Sequence, residues 1–190
     1  MREILSMIIV LSAICCASGL SLAFLKENTA SIIEAQVLTY VQGPAIEKVY
    51  PTASNKPIEE RKAFEVDGRA IMVFPYKQDG KLVGVALENH GMGFGGDIGV
   101  MVGFNMTNDS LLGIGVTVMS ETPGLGTKIA EPKFSGQFTG ASLSPDLKTR
   151  GGSIDAVSGA TISSNGAVQA VQAASKDFQV LKTQIQQAWQ

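Results

Sequence analysis

Apolar and polar positions change their rhythm twice along this chain. Ile4 to Phe24 is a run of 21 residues without a charge. An α-helix rises about 1.5 Å per residue, so this run just crosses a hydrocarbon core of roughly 30 Å and predicts one spanning helix. Asn28 or Thr29 can cap a following helix in which Ile33, Val37 and Val41 share a stripe at i, i+4 and i+8. Gly43-Pro44 interrupts the stripe, and Ala45 to Tyr50 reads as a short second helix ahead of Pro51. Residues 51–68 are polar and read as an irregular connection. Beyond them the period shortens. Ala70–Tyr76, Leu82–Glu88, Gly99–Phe104 and Leu111–Met119 are β-rich runs separated by turn signals, with Asp79-Gly80 the clearest hairpin cue. Ser163 to Trp189, rich in Ala, Val, Gln and Lys, returns to helix, with Asp177 as a candidate break. Four closely spaced strands between helices predict an α+β fold, an antiparallel sheet flanked by helices. The expected organisation is a transmembrane helix over 1–25, a helical connection over 26–68 and a folded domain over 69–190.

Composition sharpens this. Charged residues make up 17% of the 190 residues, against about a quarter in an average soluble domain. The mean hydropathy is positive, as expected if part of the chain lies in a membrane. The net charge is -2, and no stretch concentrates basic residues, so a nucleic-acid partner is excluded. The two cysteines, Cys15 and Cys16, are adjacent inside the apolar run, and His90 is the only histidine. That inventory excludes iron–sulfur clusters, Cys/His zinc sites and bis-histidine haem. An electron carrier here has to be organic.

The apolar run has two competing readings. Ala17-Ser18-Gly19 could serve as a signal-peptide cleavage site, although the run is long for one. Lipidation is disfavoured because Ile14 and Cys15 are not the small residues expected ahead of a modified cysteine. The cysteines then read as small, polarisable packing residues. Arg2, Glu3, Lys26 and Glu27 at the flanks barely bias the orientation, and the short leader favours a cytoplasmic N-terminus.

The segment richest in chemistry is Asp155-Ala156-Val157-Ser158-Gly159-Ala160-Thr161-Ile162-Ser163-Ser164-Asn165-Gly166. It is a run of small residues leading into a helix, with Ser163 or Ser164 as the expected N-cap. Free backbone N–H groups and the positive dipole end at such a start suit a phosphate. Gly159 and Ala160 allow close approach of a ligand, and Thr161 and Ser163 offer hydroxyls. The residues alone favour a plain capping turn. His90 could donate a proton to a redox ring or be an ordinary surface histidine. Gly91–Gly96 lacks the Lys-Ser/Thr of a nucleotide loop and reads as a turn. Glu59-Glu60 reads as solvated, and the sequons at Asn105 and Asn108 matter only in a glycosylating host.

The segment resembles the flavinylation motif Asp-small-x-Ser/Thr-Gly-Ala-Thr-x-Ser/Thr of the FMN-binding subunits of membrane electron-transport complexes, with every defined position matched. Glu121-Thr122-Pro123-Gly124-Leu125-Gly126 and the glycine-rich stretch followed by Val100-Met101-Val102-Gly103 are similar to further segments of that family. Motif order is preserved over nearly the whole chain. The likeness is strongest to the G subunit of Rnf-type complexes, with the C subunit of the sodium-translocating NADH:quinone reductase as the alternative.

The resemblance implies FMN attached to Thr161 through a phosphoester, made by a flavin transferase that uses FAD. Asp155, Ser158, Gly159, Ala160 and Ser163 would frame that modification, with Ser163 the alternative hydroxyl. The turn carrying Glu121, Thr122, Gly124 and Leu125 would form part of the wall for the flavin ring, and the glycine-rich turn would pack near it. The implied protein is a single-pass inner-membrane subunit with its domain on the extracytoplasmic side. It would relay electrons within an ion-translocating ferredoxin:NAD⁺ oxidoreductase complex, beside other membrane subunits. Neither metal ligands nor an independent substrate site is expected. A stand-alone membrane-anchored flavoprotein and a non-catalytic anchored binding module are the readings from other classes.

Overall fold

In the computed structural model, which describes residues 2–189, the apolar run lies within one long α-helix, α1 (Arg2–Val37), none of whose residues is buried. The chain folds as two units, Met1–Thr39 and Tyr40–Gln190. The first is this helix, long and apolar enough to cross a membrane. Its polar side chains bond back to its own carbonyls: Ser21 Oγ to Ala17 O at 2.8 Å, Asn28 Nδ2 to Phe24 O at 2.9 Å, and Thr29 Oγ1 to Leu25 O at 2.9 Å. Such i−4 bonds occupy the side chains without ending a helix. Asn28 and Thr29 therefore do not start a second helix, contrary to the capping expectation.

A wider helical turn, Leu38–Gln42, leads into α2 (Gly43–Val49). Pro44 stands in the first turn of α2, where its missing N–H is not needed. Five strands follow: β1 (Lys62–Val66), β2 (Arg69–Gln78), β3 (Lys81–Met92), β4 (Asp97–Asn105) and β5 (Leu111–Val118). They form an antiparallel meander in the order β1-β2-β3-β4-β5. The expected hairpin at Asp79-Gly80 is present, with φ of 49° and 77° at its two residues. Asp67-Gly68 repeats that signature at φ 50° and 74°, and it closes a further hairpin beyond the four expected strands. Residues 62–66 are a strand, not irregular connection. Only Val66 of β1 is buried, so this edge strand lacks the apolar density of its neighbours.

Beyond β5 the chain runs through short helical turns, including α3 (Pro132–Ser135), to α4 (Thr161–Ala188). Helix α4 is unbroken. Asp177, expected as a break, is 6% exposed and accepts hydrogen bonds from Asn89 Nδ2 at 2.7 Å and Arg69 Nη2 at 3.4 Å. Partners on β2 and β3 thus satisfy a buried carboxylate inside the helix.

Both faces of the sheet are covered, which accounts for the nearly continuous apolar runs of β2 to β4. On one face Val85, Leu87, Val100, Val102 and Phe104 join a core with Ala167, Val171, Ala174 and Phe178 of α4. The rings of Phe104 and Phe178 stack at 4.4 Å. On the other face α2 lies against glycines. A Cβ on Gly103 would come within 2.1 Å of Val49 Cγ1, and one on Gly115 within 2.7 Å of Ala45 O. The tightest crossing is that of α4 over the end of β3. A Cβ on Gly91 would stand 2.0 Å from Gly166 O, and one on Gly166 would stand 2.6 Å from Met92 O. Backbone meets backbone there, with no room for a side chain.

This crossing should tolerate no methyl group. Gly91→Ala is expected to destabilise the domain by about 3 kcal/mol or more through overpacking. Gly136→Ala, at a site with no neighbour within 4 Å, is expected to shift stability by less than about 0.5 kcal/mol. Thermal unfolding of the two variants in detergent compares them directly. Asp177→Ala, which strands the amide of Asn89, should cost about 1–3 kcal/mol in the same assay.

Candidate functional site

Two glycine turns of the same design face each other at one end of the domain. In Val157-Ser158-Gly159-Ala160, Ala160 N–H donates to Val157 O at 2.9 Å and Gly159 has φ +79°. In Thr122-Pro123-Gly124-Leu125, Leu125 N–H donates to Thr122 O at 3.2 Å and Gly124 has φ +72°. A left-handed residue at the third position is what calls for glycine in a type II turn, and proline suits the second. Leu125 lies over the first turn, its Cδ1 3.0 Å from where a Cβ of Gly159 would be.

The first turn delivers the chain into α4. The helix starts at Thr161, with Ala160 as its N-cap residue and no side-chain cap. Neither Ser163 nor Ser164 caps it, contrary to expectation. Both lie inside the first helical turns and are buried. Ser164 Oγ accepts Val157 N–H and donates to Ala160 O, each at 2.9 Å, so it staples the turn beneath the helix. Ser163 Oγ donates to Glu121 Oε2 at 2.5 Å. With the helical ladder beginning at Ser164 N–H to Ala160 O, the N–H groups of Thr161, Ile162 and Ser163 have no acceptor within the helix. The first turn carries no acidic residue. It is the electropositive end of a 28-residue helix.

Glu121 holds this end together. It is 7% exposed, and its second oxygen accepts Gly95 N–H at 3.0 Å. One carboxylate therefore ties the β3–β4 connection to the first turn of α4. Space for it comes from glycines: a Cβ on Gly93 would be 2.2 Å from Glu121 Oε1, and one on Gly126 would be 2.5 Å from Oε2.

Above the clamp is a pocket of about 310 Å³, lined by Phe94, Glu121, Thr122, Leu125, Gly126, Gly159, Ala160, Thr161, Ile162 and Ser163. Its size is near the lower limit for ligand pockets. Of the residues singled out in the sequence, Glu121, Thr122, Leu125, Gly159, Ala160, Thr161 and Ser163 meet here. Gly124 does not line it; its N–H donates to Thr127 Oγ1 at 2.9 Å and shapes the turn. Asp155 and Ser158 face a separate cavity of about 580 Å³, with Lys128, Glu131, Lys133, Phe134 and Gln137. There the Asp155 carboxylate pairs with Lys148 at 2.7 Å. The motif is thus divided between two surfaces. Phe94 and Gly126 come from the glycine-rich turn and the Glu121–Gly126 turn that were expected beside the ring, and Ile162 joins the site without having stood out in the sequence. The signal for Phe94 was a phenylalanine set between glycines.

Of the two candidate hydroxyls, Thr161 is exposed and Ser163 is 2% exposed with its proton committed to Glu121. The pocket fits a phosphate-linked aromatic group. It is lined by the uncapped helix start, by the exposed Thr161 and by the apolar side chains of Phe94, Leu125 and Ile162. Both oxygens of the nearest carboxylate are already engaged. His90 lines neither surface. Its Cε1 lies 3.1 Å from where a Cβ of Gly99 would be, in a group with Glu88 and Thr117. A larger cavity of about 700 Å³ beside α2 contains none of the motif residues. Tyr50 on its border is buried, which pushes its hydroxyl well above the ordinary tyrosine range. Among the described residues no cluster of His, Cys, Asp and Glu is suited to a metal.

Comparison with known proteins agrees with this chemistry. Residues 93–176, which contain the clamp, both turns and the start of α4, match the FMN-binding domain family. The G subunit of the ion-translocating oxidoreductase complex of Methanosarcina acetivorans is 34% identical over 137 residues, covering 70% of this chain and 72% of that protein. Its counterpart in Salmonella typhi is 31% identical over 184 residues, covering 89% and 87%. The crystal structure of the C subunit of the Na⁺-translocating NADH-quinone reductase of Parabacteroides distasonis superposes with a TM-score of 0.54 at 22% identity, over 66% of this chain and 80% of that one. That likeness supports the α+β fold. With such identity across most of both partners' length, the chain belongs to the family of G subunits of ion-translocating oxidoreductase complexes.

Proposed function

We propose that this chain is an electron-transfer flavoprotein subunit of a membrane-bound ion-translocating oxidoreductase complex of the Rnf type, carrying FMN as a phosphoester on Thr161. The observation that carries the proposal is the exposed Thr161 hydroxyl at the bare N-terminus of α4, inside the span that matches the FMN-binding domain family. The Rnf-type complex is favoured over the sodium-translocating quinone reductase because the G subunits match at higher identity, 34% and 31% for the two above. One of them covers 89% of this chain, against 73% for a C subunit of the Vibrio alginolyticus reductase at 26% identity.

In the attachment step Thr161 Oγ1 forms a bond to the FMN phosphorus of FAD. The bond between the two FAD phosphates breaks, AMP leaves, and the threonine proton passes to a base of a separate flavin transferase. The product is one phosphodiester anion. The N–H groups of Thr161, Ile162 and Ser163 would hold its free oxygens, and the helix dipole favours the charge. Once bound, FMN supplies reversible one- and two-electron transfer. The protein's own part is orientation. Gly159, Ala160 and Gly126 let the phosphoryl group approach the backbone, and the turn bearing Thr122 and Leu125 stands beside it. Asp155 and Ser158, on the neighbouring surface, would be read by the transferase. A tether also keeps the ring at high effective concentration beside partner subunits. Helix α1 would anchor the chain as a single span, with the domain outside the cytoplasm.

Co-expression with a flavin transferase is expected to raise the intact mass by one FMN less one water. Thr161→Ala should abolish the increment while changing stability by less than about 0.5 kcal/mol, since the side chain is exposed. Covalent flavin persisting on the Thr161→Ala chain would sink the assignment of the residue. Absence of flavin from the wild-type chain would sink the carrier itself.

A further inference from the structure

The stretch from Ile154 to Ala160 forms neither helix nor extended strand, yet its backbone is tied at both ends and in the middle. Ile154 is buried and bridges to the segment at Leu147: its N–H donates to Asp146 O at 3.1 Å, and Lys148 N–H donates to its carbonyl at 2.9 Å. Ser164 Oγ holds Val157 from inside α4. Between these anchors, Asp155 is held by one side chain from outside the stretch. Gln137 Oε1 accepts Asp155 N–H at 2.7 Å, and Gln137 Nε2 donates to Asp155 O at 3.2 Å. One amide thus pairs with both backbone groups of one residue, as a neighbouring strand would. Gln137 itself has a fixed base. It precedes the buried Phe138, whose ring meets that of the buried Phe134 edge-on at 5.5 Å, and its Nε2 also donates to Lys133 O at 3.3 Å.

Stability does not call for this clasp. The Asp155 side chain is 65% exposed, and at such a site exchanging water for an amide gains little, because water satisfies the same N–H and C=O. What the amide fixes is position. With Ile154 and Val157 anchored on either side, Gln137 removes the remaining freedom of the peptide groups at Asp155. It thereby sets where the Asp155 carboxylate leaves the surface, beside Lys148. We infer that Gln137 is a positioning residue for flavin attachment: it holds Asp155 in the geometry that a flavin transferase reads, so that docking on Asp155 brings Thr161 Oγ1 to FAD; this rests on the proposal that Thr161 carries FMN. Gln137 lines the cavity of Asp155 and Ser158 and not the pocket of Thr161. Its influence on the hydroxyl therefore passes through the motif backbone. A recognition segment that is already ordered spares its partner the entropy of ordering it, so the clasp acts on the encounter with the transferase and leaves the chemical step alone.

The test follows attachment over time by intact mass, with the full-length chain in detergent, a purified flavin transferase and FAD, over a range of chain concentrations. Gln137→Ala and Gln137→Met, the second keeping the bulk without the bonds, are each expected to raise KM for the chain several-fold with kcat little changed, while thermal unfolding stays near that of the wild type. Should Gln137→Ala unfold under the assay conditions, Gln137→Met carries the comparison. Asp155→Ala should raise KM at least as far, and adding Gln137→Ala to it should bring no further rise, because the clasp then has no carboxylate to present. A wild-type KM in the Gln137 variants would overturn the inference. So would a Gln137→Ala effect of the same size with and without the Asp155 carboxylate, or a fall in kcat at unchanged KM, since either marks a role other than presenting Asp155. A wild-type chain that gains no FMN at all would instead remove the flavin carrier on which the inference rests.

Discussion

The placement of α4 depends on an approach that leaves no room for side chains. At Gly91 and Gly166 the backbone of the helix rests on the backbone of β3, and a single methyl group at either position would collide with a carbonyl. Once that crossing is set, the start of α4, little more than one turn ahead of Gly166, must lie beside the chain leaving β3 just after Gly91. Thr161 and the Gly93–Phe94 turn meet for that reason. The stacked pair Phe104 and Phe178 and the buried Asp177 secure the same helix further along its length. The site is thus an outcome of helix-on-sheet packing, and its local bonds refine a position that packing has already chosen.

The Glu121 clamp supplies the refinement. A buried carboxylate is tolerated when donors occupy it, and here the two donors come from separate elements, the β3–β4 connection and α4. Surrounding glycines give it room. The opposing turns at Gly124 and Gly159 stand on either side, so the pocket is lined by backbone and small residues together with the large apolar side chains of Phe94, Leu125 and Ile162. Such a site suits a ligand with a charged foot and an aromatic body.

Periodicity revealed much of this architecture. Strands β2 to β5 were legible because apolar residues on both faces leave an unbroken signal. Strand β1 was not, since Lys62, Ala63 and Glu65 are exposed and only Val66 is buried; its clearest trace was the Asp67-Gly68 turn. Serines 163 and 164 misled because serine favours caps, whereas their hydroxyls serve Glu121 and the Val157 turn from inside the helix. Asn28 and Thr29 misled in the same way, bonding back to helical carbonyls. The motif around Thr161 was legible through its resemblance, yet its division between two surfaces was not. Asp155 and Thr161 are close neighbours in sequence but face different cavities. The only sequence trace of Phe94 was its place between two glycines, and its exposure is a property of the pinned backbone around it.

The bare start of α4 has a consequence for maturation. A helix of this length ordinarily gains about 1 kcal/mol from a side-chain cap, and this one forgoes it. On the proposed attachment the phosphoryl oxygens take the place of that missing cap, so the cofactor completes the secondary structure that presents it. A phosphoester that meets those N–H groups only in the folded domain would then make the loaded chain more stable than the unloaded one. A cell could tell the two apart by their stability, with no sensor for flavin.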